Sequence, residues 1–132
     1  MISHVLDTCA FLDLTTERWS APDACEALQQ AERPVLLAVS VWEIARKCRI
    51  GKLRLPCGLS EVHAFILKVC QHHQIELMAL DSEICHGAEL LDPFHEDPFD
   101  RMILALALKW EVPVFTTDRQ FEKYPVTVIR QW

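Results

Sequence analysis

Asp7, Glu43, Asp100 and Asp118 are the residues best suited to chemistry, because each sits where a strand pattern ends or a helix pattern begins. Taken singly, each has an ordinary explanation. Ser40 and Glu43 are spaced as a Ser-x-x-Glu capping box, and Glu43 also stands one helical turn before Lys47, the favourable order for an ion pair. In "HEDPFDRMILALA", residues 95–107, Pro98 suits the first position of a helix. That makes Asp97 its N-cap and Asp100 its third residue, near the positive end of the helix dipole. Asp7 and Asp118 can be N-caps too, like Asp81 in "MALDSEI". Capping, however, requires no convergence. Four carboxylates at close quarters would repel one another unless cations lay between them, and hard oxygen donors suit Mg2+ or Mn2+. Two such ions can activate a water and stabilise the leaving oxygen of a phosphodiester, so convergence would point to metal-dependent phosphoryl hydrolysis.

The elements decide whether the four converge. Short aliphatic runs predict strands at 2–6, 35–39, 75–80, 112–116 and 126–130, and longer segments with helical spacing predict helices at 21–31, 41–50, 59–73, 82–91 and 98–110. This alternation predicts an α/β fold with a mainly parallel sheet and helices on both faces. In such a sheet the C-termini of the strands and the N-termini of the following helices share one edge, where open α/β sheets bind their ligands. Asp7 and Asp118 close strands, and Glu43 and Asp100 open helices, so all four are expected on that edge.

The 132 residues, 51% of them hydrophobic, suffice for one compact domain spanning 1–132, with no linker, low-complexity tract or internal repeat. The longest apolar run, "MILALAL" at 102–108, is too short to cross a bilayer, and "MISHVLD" lacks the features of a signal peptide, so a cytoplasmic protein is expected. Six cysteines without a Cys-x-x-Cys pair read as reduced thiols, and Cys70, His72 and His73 lack the second pair that a zinc site needs. A net charge of −6 disfavours a protein that coats nucleic acid, though not an enzyme that acts on it. Positive charge is local instead, with five cations in "RKCRIGKLR", residues 46–54.

With "VLDTCAFL" at 5–12, "SVWEIARKCRIGKL" at 40–53, "HEDPFDRMILALAL" at 95–108 and "VFTTDRQFEKYPV" at 114–126, the sequence resembles PIN-domain ribonucleases, specifically the VapC-type toxins of prokaryotic toxin–antitoxin pairs. The pieces follow the family's order and spacing. The resemblance implies a PIN-like α/β/α sandwich and endonucleolytic cleavage of RNA at an acidic Mg2+ site, with Mn2+ able to substitute. It makes Asp7 and Asp100 the principal metal ligands, with Glu43 and Asp118 completing the catalytic cluster directly or through water. It also implies a cognate antitoxin and a homodimer. Arg46, Lys47, Arg49 and Lys52 are then candidates for carrying the RNA backbone, against the plainer reading of a solvated face with a Glu43–Lys47 pair. Cys9 stands where many relatives have histidine. A haloacid-dehalogenase-like phosphatase would need a second aspartate at position 9, and a receiver domain a lysine after a late strand; neither is present. The alternative from another class is a non-catalytic PIN-like module that binds RNA or a partner without cutting.

Overall fold

A computed structural model describes all 132 residues. Five parallel strands form one sheet in the order β3-β2-β1-β4-β5, where β1 is His4–Leu6, β2 Pro34–Leu37, β3 Glu76–Met78, β4 Val114–Phe115 and β5 Val128–Ile129. Six helices accompany them: α1 Thr8–Thr15, α2 Pro22–Gln30, α3 Val39–Arg49, α4 Val62–His72, α5 Ser82–Leu90 and α6 Pro98–Trp110. Short 3-10 turns cover Leu59–Glu61 and Arg119–Lys123.

The alternation of side chains along each strand builds two separate cores. Val5, Val35, Leu37 and Val114 face one way, onto Ile84 and Ala88 of α5 and Ile103, Leu104 and Leu106 of α6. Leu6, Leu36 and Phe115 face the other, onto Ala10 and Phe11 of α1, Ala24 of α2, Ile44 of α3 and Ile66 and Cys70 of α4. Because β1, β2 and β4 are largely buried on both faces, their sequences are mostly apolar, as those of parallel strands are. The result is an α/β/α sandwich. The chain runs from β1 outward through β2 and β3, then returns to place β4 on the other side of β1. That reversal opens a crevice at the carboxyl ends of β1 and β4.

The strands are shorter than their sequence signals, most of all β4 and β5, with two residues each. The predicted helix 59–73 is divided into a 3-10 turn and α4. Helix α1 has no counterpart among the predicted elements; "TCAFLDLT" is apolar on nearly every side and shows little periodicity.

Candidate active site

Asp7 follows β1 directly and caps α1, its Oδ1 accepting from the Ala10 N–H at 2.7 Å. Its Oδ2 accepts from the Thr116 hydroxyl, and the same Thr116 Oγ1 accepts the Asp118 N–H at 3.0 Å. Thr116 is fully buried, so it ties the end of β1 to the end of β4. Asp118 in turn caps the following 3-10 turn through Oδ1, which accepts from Gln120 N–H at 2.9 Å. Both aspartates therefore cap and converge; the two roles do not compete.

The Ser40–Glu43 capping box does not form. Helix α3 begins at Val39, directly after β2, with Ala38 at the cap position and no capping side chain. Ser40 is buried and exchanges a 2.9 Å hydrogen bond with Thr8 Oγ1, joining the starts of α1 and α3. Glu43 points inward beside the other acids, with Lys47 Nζ 2.9 Å from its Oε2. Its Oε1 is buried and meets no hydrogen-bond donor. Lys47 is thus engaged within the cluster. Arg46, Arg49 and Lys52 are exposed and unpaired, Arg46 and Arg49 lining a neighbouring hollow with Trp42 instead of the Glu43 side of the helix.

Asp100 occupies the third position of α6, behind Pro98, and Asp97 is the N-cap, accepting from Phe99 N–H at 2.9 Å. The Oδ2 of Asp100 meets His95 Nε2 at 2.9 Å, and Asp118 Oδ2 lies 3.1 Å from the same nitrogen. Sequence reasoning missed His95. It lies in an irregular loop, and one of its partners is 23 residues away, so only its place at the head of "HEDPFD" hinted at a role. His95 Nδ1 accepts from the Asp97 N–H at a long 3.4 Å, which leaves the ring proton on Nε2, facing the carboxylates. The loop is pinned from behind. Tyr124 Oη donates to Asp92 O and accepts from His95 N–H, while the Arg101 guanidinium donates to the carbonyls of Leu91, Asp92 and His95 at 2.8–3.1 Å. The arginine of "DPFDR" is therefore structural. A cavity of about 470 Å3 has His95 and Arg101 in its wall and contains none of the four acids.

Electrostatics record the crowding. Burial pushes the Asp7 carboxyl up to about 6, with Asp118 and Glu43 adding to the rise against the hydrogen bonds from Thr116 and Ala10. Asp100 is pushed up to about 8, by burial first and then by Asp97, Asp7, Glu43 and Asp118. Cys9 reaches the surface, yet its thiol is pushed up to about 12 because its sulfur lies among protein atoms and beside Asp7. The donor set fits a hard divalent cation: carboxylates from four elements, an orphaned buried Glu43 oxygen, and a cluster whose protons a cation would replace. Asp100 and Asp118 also bring a carboxylate oxygen each close to one another around His95.

The model of the PIN domain family matches residues 4–126, and the chain belongs to that family. Among solved structures it is similar to a DNA-bound VapBC from Salmonella typhimurium, at 14% identity over 100% of both chains and a TM-score of 0.66. FitAcB from Neisseria gonorrhoeae aligns at 17% identity over 98% of both chains, with a TM-score of 0.65. A toxin–antitoxin complex from Klebsiella pneumoniae aligns at 14% identity over 98% of both, with a TM-score of 0.63. At these identities the likeness is one of fold. Comparison with curated proteins returns no significant match.

Proposed function

We propose that this PIN domain is a metal-dependent endoribonuclease acting as the toxin of a type II toxin–antitoxin pair. The observation that carries the reading is the cluster itself: Asp7, Glu43, Asp100 and Asp118 gather at the crevice beside β1, where burial and then the neighbouring acids push Asp100 up to about 8. Nothing about capping explains that cost. Asp7 and Asp100 would hold Mg2+, or Mn2+ in its place, with Glu43 and Asp118 completing the site. Bound there, the metal supplies a lowered water pKa and charge neutralisation at the phosphodiester. The chain's own residues do the rest. Thr116 and Ala10 fix the Asp7 carboxylate by hydrogen bonds to both oxygens. His95 Nε2 hydrogen-bonds Oδ2 of Asp118 and lies 2.9 Å from Oδ2 of Asp100, leaving Asp100 Oδ1 free to ligate. Lys47 offsets part of the charge of Glu43 without filling its second oxygen.

The toxin assignment is supported by the sequence motifs and by the structural neighbours, which are toxin–antitoxin complexes. A cognate antitoxin, a homodimer and a cytoplasmic location belong to the same proposal. No helix is long and apolar enough to cross a membrane. An antitoxin arginine would fit among the four acids, since a guanidinium pairs with two carboxylate oxygens at once. The deciding experiment incubates the purified protein with total cellular RNA, with and without Mg2+, and maps the new ends. Metal-dependent cleavage that disappears in Asp7→Asn supports the enzyme. RNA binding without any cleavage would reduce the chain to a binding module.

A further inference from the structure

Trp42 is a large apolar side chain left 61% exposed on a helix that otherwise buries its apolar residues. It is not loose. Its ring packs edge-on against Phe99 with centroids 5.2 Å apart and planes at 83°. Trp42 precedes Glu43, and Phe99 precedes Asp100, so each aromatic is the chain neighbour of a candidate catalytic acid, about 3.8 Å away between Cα atoms. One face of the pair is thereby fixed beside the site. The indole also lines a hollow of about 190 Å3 with Ala45, Arg46, Arg49 and Leu59, and Phe99 is not among its lining residues. Arg46 and Arg49 follow Trp42 by one and two helical turns and make no ion pair. Lys47, the cation between them, is turned inward to Glu43.

An exposed, rigidly backed indole with two uncommitted guanidinium groups on one helix face has the two properties that bind an unpaired nucleotide. It offers a flat surface for a base and positive charge for the adjoining phosphates. A duplex keeps its bases stacked on each other and cannot use the first property. An apolar peptide would use the indole and leave both arginines without a counter-charge. We propose that Trp42, braced by Phe99, is a stacking platform for a base next to the scissile phosphate, and that Arg46 and Arg49 hold the strand beyond it. This inference rests on the ribonuclease reading.

Fluorescence anisotropy tests it with a labelled unstructured RNA 12-mer and a duplex of the same sequence. The full-length Asp7→Asn protein is used so that the strand survives. Trp42→Ala should weaken the single strand roughly five- to 150-fold, the loss expected for one stacked base, while Trp42→Phe stays within about threefold of the parent. The duplex should bind weakly and respond to neither change. Arg46→Gln with Arg49→Gln should flatten the salt dependence by about two charges. Equal single-strand affinity in Trp42→Ala, an equal loss for the duplex, or failure of Trp42→Phe to retain binding each overturns the platform. So does a Trp42→Ala protein that loses affinity only for the antitoxin. If the wild-type protein cleaves total RNA, these outcomes count against the platform alone; if it cleaves none, the ribonuclease reading falls with it.

Discussion

Asp100 is the residue on which charge, burial and chemistry meet. Replacing it with Asn should lower RNA cleavage on the order of a hundredfold or more, as loss of a charged group from such a site does. The metal-free protein should melt no lower than the wild type, because Asn spares the cost of burying a carboxyl among other acids; a clear fall would mean that its main task is to support the start of α6 as an acid near the helix N-terminus. The pH dependence has a definite sign. Asp7 and Asp100 are pushed up to about 6 and about 8 from the ordinary 3.8. Both therefore hold their protons more tightly folded than unfolded, and the metal-free protein should lose stability as pH rises from about 4 towards 8, seen as a falling thermal midpoint. Metal competes with the same protons, so Mn2+ affinity measured by calorimetry should rise between pH 6 and 8 and then level off, with proton release in that window. His95→Ala should weaken Mn2+ binding about 10- to 100-fold, and His95→Gln, which keeps an N–H donor, should restore part of it. The four acids were nameable from sequence because they end strands or open helices. His95 was not, because a loop histidine acquires meaning only once Asp100 and Asp118 are brought to it.

At the level of elements, the loop before α6 does the positioning, and it has no regular structure of its own. Its carbonyls are gathered by one guanidinium, so Arg101→Gln should cost about 1.5–3 kcal/mol, the range for hydrogen bonds to a charged group. Arg101→Lys should rescue little, because an ammonium lacks the planar fork that reaches several carbonyls. Urea unfolding measures the first effect, and Mn2+ titration of the same variants shows whether the loop carries the site. Sequence periodicity placed α2, α4, α5 and α6 to within a few residues, since each has a buried stripe. It failed for α1, which is short and apolar all round, and it set α3 two residues late by taking Ser40 for a cap. That hydroxyl belongs to a contact with Thr8, 32 residues away, and local spacing cannot report such a partner.

For the whole molecule, a metal held by the four acids as proposed would be a stabilising ligand, because those acids come from four separate elements. At a hundred times its dissociation constant a ligand adds about 2.7 kcal/mol, which for a chain of this size corresponds to a rise on the order of 5–15 °C. Differential scanning calorimetry with Mn2+ should show that rise in the wild type and lose most of it in Asp7→Asn. The sandwich architecture was legible in the sequence because strands buried on both faces leave short, mostly apolar runs between helical segments; the two-residue lengths of β4 and β5 were not, since pairing, and not composition, sets where a strand stops. The bond from Thr116 back to Asp7 spans 109 residues, and it gives the molecule a schedule as well as a shape. A growing chain cannot complete the candidate site until β4 has emerged and crossed to the far side of β1. A product cut short before that point lacks Thr116 and Asp118 altogether. If the site cuts RNA as proposed, that activity stays out of reach for as long as β4 is still being made.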